Sequence, residues 1–215
     1  MLFRSAERVF NYLGNPGLVI LDPRWHQAAL RFVDMGFNHI LDGLDHLLFL
    51  FCLVIPLRSI RALIPVVTSF TIAHSITLIS SAFGMAPSAL WFPPLIETLI
   101  ALSIVYMAFE NIVGARLEHR WMLSFGFGLV HGFGFSFVFS DTLQFAGGHL
   151  FSSLLAFNVG VEIGQILVLI LVIPLLNILF KFFVKERVGT ILLSALLAHS
   201  RSEERRVGKE CRSRW

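Results

Sequence analysis

Long apolar stretches recur five times along the chain, near residues 37–57, 62–83, 92–113, 121–140 and 150–180. At ~1.5 Å per residue each is long enough, as a helix, to cross a ~30 Å hydrocarbon core. A sixth candidate, TILLSALLAHS at 190–200, is too short to span. Polar residues inside these stretches fall on helical stripes. His39, Asp42 and His46 share one side of the first helix, with Asp45 next to them, and Asn158, Glu162 and Gln165 share one side of the fifth. In the second, Thr71, His74 and Ser75 cluster while Ile72, Ile76 and Ile79 take another side. Gly128, Gly132 and Ser136 repeat at a spacing that lets helix backbones approach closely in lipid, and they carry His131 on a tightly packed helix. Lipid cannot satisfy such polar groups, so the stripes are expected to face one another inside a bundle. The predicted fold class is therefore all-α: a polytopic transmembrane helix bundle with five complete spans and a truncated sixth.

Composition agrees, with 56% hydrophobic residues, 14% charged residues and a mean hydropathy of +0.77. The net charge of +3 changes meaning once its source is located. The run RSEERRVGKECRSRW at 201–215 matches one reading frame of a common sequencing adapter, and is read as non-native. Six of the 17 basic and three of the 14 acidic residues belong to it, so without it the two signs balance at 11 each. A nucleic-acid partner is not implied. The lipid bilayer is the expected environment, and nothing in the sequence gives an oligomeric state. Residues 1–35 read as an extracytoplasmic or interfacial leader, and 36–200 as the transmembrane domain.

Loop charges set the expected orientation. Arg58 and Arg61 follow the first stretch, Arg116 and Arg120 the third, and Lys181, Lys185 and Arg187 the fifth, whereas the loops at 84–91 and 141–149 hold no Lys or Arg. By the positive-inside rule the N-terminus lies outside. Polar groups on five helices then converge at one depth in the outer half: His39, Asp42, Asp45, His46, His74, Glu97, His131, Asn158, Glu162 and Gln165.

Several imidazoles with carboxylates, and no thiolate pair, suit a borderline divalent transition metal such as Ni, Co or Zn. His39, Asp45, His46, His74 and His131 are the candidate metal ligands; Asp42, Glu97, Asn158, Glu162 and Gln165 are supporting polar groups. The segments HILDGLDHLLFL (H-x5-D-H at His39, Asp45 and His46), FTIAHSITL, ETLIALSIVY with AFEN, FGFGLVHGFGF and FNVGVEIGQ occur in order. Together they resemble the HupE/UreJ family of bacterial membrane proteins over about residues 36–187. That resemblance implies a multi-pass protein of the bacterial inner membrane that handles nickel or cobalt, with the H-x5-D-H element as its metal-handling motif.

Two functions compete for the same cluster, and a third reading needs no metal. A permease would pass the cation through several moderate sites, although the cytoplasmic halves of the spans offer little beyond Glu110 and Asn111. An intramembrane zinc-dependent hydrolase would use three histidines and a carboxylate base; against it, no H-E-x-x-H motif occurs. In a structural or proton-sensing protein the histidines and acids would pair with one another.

Overall fold

The computed structural model describes residues 24–114, 117–139, 149–182, 185–197 and 199, with the side chains of 135–139 excepted. The adapter-like run, most of the leader and the loop at 140–148 lie outside the described residues. Six α-helices are bounded: α1 (Trp25–Asp42), α2 (Leu44–Val54), α3 (Ile60–Ala82), α4 (Phe92–Val113), α5 (Arg120–Phe139) and α6 (Leu150–Phe182). A further helical stretch, α7, covers 186–197. The described residues hold no strand.

The described residues form a helical bundle with three to four candidate spans rather than five. Three helices, α3, α4 and α6, are long and apolar enough to cross a membrane, and a fourth span exists if the bent pair α1–α2 counts as one. The expected first span is this pair, broken at Gly43 by a bend of 70°. Gly43 sits at φ −78°, ψ 90°, outside the helical region, and its N–H donates to His39 O at 3.0 Å to close α1. Its own carbonyl accepts from Leu47 N at 3.1 Å and starts α2. The helix carrying His39 also begins well ahead of the apolar stretch, at Trp25, where Arg24 N–H donates to Gln27 Oε1 at 3.1 Å.

α2 runs through the middle of the bundle. Cys52, Leu53 and Val54 are buried among Leu63, Val67 and Phe70 of α3, Ile104 and Met107 of α4, and Leu169 and Val172 of α6. The outward faces are apolar and exposed, as for lipid contact: Ile72 and Ile76 on α3, and Val159, Ile163 and Ile170 on α6.

Small residues bring two helix pairs into close approach. A Cβ at Gly128 of α5 would lie 2.6 Å from Phe70 O on α3, and one at Gly132 would strike the backbone of His74. Ser124 Oγ reinforces this seam by donating to Val66 O at 2.8 Å. Gly36 and Gly160 play the same part between α1 and α6, each facing backbone of the other helix. The expected α5 stripe thus packs on α3 through Gly128 and Gly132; the side chain of Ser136 lies outside the described residues.

One end of the bundle is tied by arginines. Arg120, expected as a loop cation, is fully buried. It donates to Cys52 O (3.2 Å), Leu53 O (3.4 Å), Glu110 Oε2 (3.2 Å) and Asn111 Oδ1, while Asn111 Nδ2 donates to Cys52 O at 2.8 Å. The last carbonyls of α2, which have no partner within their own helix, are capped in this way. At the same end Arg58 pairs with Glu186, and Arg187 donates to Ile112 O at 2.8 Å.

Candidate metal centre

Three histidines from three helices meet in the interior. One nitrogen each from His39 (α1), His46 (α2) and His74 (α3) all lie within 4.8 Å of one another. Ring centroids are 4.6 Å apart for His39–His46, 6.1 Å for His39–His74 and 6.0 Å for His46–His74. The bend at Gly43 makes the closest of these pairs possible. A Cβ there would stand 2.6 Å from His39 O and 3.0 Å from His46 Nδ1, so only glycine lets the His46 ring fold back over the end of α1.

Both nitrogens of His74 are buried beside the Asn158 amide, and Nε2 of His46 is buried and makes no hydrogen bond. A buried polar atom left in this state costs about 1–3 kcal/mol, which a bound cation would remove. Three neutral imidazoles form a donor set suited to Zn, Cu, Ni or Co. The residues present therefore fit a divalent transition metal.

His131 lies beside the trio rather than in it. Its ring centroid is 5.3 Å from that of His46, and its Nε2 is 3.0 Å from Ser103 Oγ on α4. Asp45, the first acidic residue of α2, is half-buried next to His46 with Oδ1 inside. Asn158 stands beside His74, and its amide donates to Leu154 O at 2.8 Å. Further along α6, Glu162 Oε1 accepts from Thr68 Oγ1 at 2.7 Å and Gln165 Oε1 accepts from Thr71 Oγ1 at 2.9 Å.

Two expected members face outward instead. Asp42 is exposed: the stripe through His39, Asp42 and His46 assumed one continuous helix, and the break one residue later turns Asp42 away. Glu97 is exposed because α4 buries Ile96, Ile100, Ser103, Ile104 and Met107, a face that excludes it. α4 reaches the cluster through Ser103 instead.

Sequence reasoning did not single out the aromatic wall. Phe70 lies 6.0 Å from His46 and 6.0 Å from His74, Phe157 stacks on His74 at 6.5 Å, and Phe49 lies 5.3 Å from His131. Helical spacing held a signal for two of these: Phe70 is four residues before His74, and Phe49 three after His46. Phe157 reaches the cluster by packing between helices, which no local spacing reveals.

Among the described residues, helices of membrane-spanning length and a buried imidazole trio define a helical membrane protein with the donor set of a metal site. The pattern described as HupE / UreJ protein matches residues 17–201, nearly the whole chain, and the chain belongs to that family. No curated protein and no solved structure matches it.

Proposed function

We propose that this chain is a permease of the bacterial inner membrane, its N-terminus outside, whose cargo is a divalent transition metal of the nickel or cobalt class. One observation carries the reading: donor nitrogens of His39, His46 and His74 within 4.8 Å of one another, from three separate helices. Asp45 supplies negative charge beside them, and His131 is a neighbouring imidazole to which the cation can pass. Family membership supports the metal class. The fold makes the His39–His46 pair depend on a bend instead of a rigid helix, which suits a ligand set that must release its ion as well as hold it.

The experiment is accumulation of nickel or cobalt in cells expressing the chain or its His46→Ala variant. Uptake should fall at least roughly tenfold in the variant, as expected when a metal-holding residue is removed. Equal uptake above background in both would exclude the assigned role. Three imidazoles beside a carboxylate are also the complement of a hydrolytic zinc centre. That reading predicts about one tightly held zinc per chain and no accumulation across the membrane.

A further inference from the structure

Where the imidazoles end, oxygen donors begin. Asn158 stands beside His74, with Glu162 four residues further along the same face of α6 and about 6 Å along its axis, at ~1.5 Å per residue. α3 frames this face with two hydroxyls: Thr68 holds Glu162 Oε1 at 2.7 Å, and Thr71 holds Gln165 Oε1 at 2.9 Å. Glu162 Oε2 is buried and accepts no hydrogen bond, and Asn158 Oδ1 is buried beside the His74 ring. The orientation of the Asn158 amide is fixed, because Leu154 O is an acceptor and must face Nδ2, at 2.8 Å, leaving Oδ1 on the opposite side. Asn158 itself is only 7% exposed. A buried carboxyl oxygen without a donor, one turn from a buried amide oxygen on the same helix face, is a pair of oxygen ligands suited to a cation.

The position of this pair gives it a direction. Thr71 and Thr68 precede His74 on α3, whose start adjoins Arg58; Glu162 and Gln165 lead along α6 toward Lys181. Both helices carry the oxygen donors from the trio toward the end where Arg58, Arg120 and Arg187 gather. This is the half of the bundle in which the amino-acid sequence offered no evident path.

We infer that Glu162 and Asn158, framed by Thr68 and Thr71, form a second, oxygen-donor station for a divalent cation between the imidazole trio and the arginine-bearing end of the bundle. Its place in a path rests on the permease reading; its existence as a binding site does not. Imidazoles hold borderline ions such as cobalt more tightly than a single carboxylate with an amide does. An ion stepping from the first set to the second moves to weaker ligands, which favours onward release.

The test is titration of the purified full chain with Co2+ by equilibrium dialysis, paired with Co2+ uptake into proteoliposomes. The wild-type chain should bind two equivalents, one tight and one weak. Glu162→Gln should lose the weak equivalent, keep the tight affinity within about threefold, and lose roughly tenfold or more of uptake. Glu162→Asp, the milder change, should weaken the second equivalent alone. His74→Ala should do the converse and lose the tight one. Two unaltered equivalents with unaltered uptake in Glu162→Gln, or an unaltered second equivalent in Glu162→Asp, overturn the station. If wild-type chains bind two equivalents, Glu162→Gln binds one, and neither transports, the station stands and the permease reading falls.

Discussion

Among the described residues, the bundle holds two buried polar clusters built on opposite rules. Around Arg120 the bonds are nearly complete: two carbonyls of α2, the Glu110 carboxylate and the Asn111 amide all receive its protons, and Asn111 returns a bond to Cys52 O. Around His74 the reverse holds. Nε2 of His46 and Oε2 of Glu162 are buried without a hydrogen bond, and the imidazoles of His39, His46 and His74 turn their nitrogens toward one another. Burial of polar groups in an apolar bundle costs free energy in either case; one cluster offsets that cost internally, whereas the other leaves it outstanding. A satisfied cluster joins helices. An unsatisfied one is matched to something that is not part of the chain.

The sharpest way to break this contrast is to remove the arginine. Arg120→Met removes the buried cation that ties two α2 carbonyls, Glu110 and Asn111 together, a change expected to cost about 3–5 kcal/mol. Thermal unfolding in detergent, followed by circular dichroism, should show a marked drop in melting temperature, while protein that remains folded still binds cobalt. A wild-type melting temperature would mean that the arginine network is not holding the helix ends.

His74→Leu should behave in the opposite sense. Affinity for nickel or cobalt should fall by about a hundredfold, or ~2.7 kcal/mol. The melting temperature of the metal-free protein should stay level or rise, since a buried polar ring crowded by two other imidazoles gives way to an apolar side chain of similar size. A loss of stability comparable to that of Arg120→Met would erase the distinction between the clusters.

Gly43→Ala tests the bend with the smallest expected effect. The added methyl meets His39 O and His46 Nδ1, and alanine favours continuing the helix through the break. Metal affinity should fall roughly tenfold, with a stability change of only about 1 kcal/mol. Isothermal titration alongside the unfolding measurement separates the two quantities, and unchanged affinity would show that the His39–His46 pairing does not need this glycine.

Much of the fold was legible because lipid imposes simple rules. Apolar length located α3, α4 and α6, and three-to-four-residue spacing put Thr71, His74 and Ser75 opposite Ile72 and Ile76. The small residues of α5 foretold close packing, and the structure places that seam against α3. The first span was misread because apolar content records what lies in the bilayer and is silent on whether the backbone bends. Gly43 alone marked the break, and a lone glycine within an apolar helix is more often tolerated than disruptive. The same misreading put Asp42 on the inner face. Glu97 was assigned by depth alone, although the spacing of Ile96, Ile100, Ser103 and Met107 already pointed the inner face of α4 elsewhere. Arg120 escaped notice because a cation next to a span end reads as a loop charge, and only tertiary packing shows that it reaches back to carbonyls almost seventy residues earlier in the chain.

The elbow at Gly43 has a mechanical corollary. His39 rides on one arm and His46 on the other, so the angle between the arms sets how firmly the two rings can grip anything between them. That angle is held from outside the elbow, by the close α1–α6 seam at Gly36 and Gly160 and by the core around α2. In such a joint, tightness of hold is a matter of posture, set by the neighbours that brace each arm.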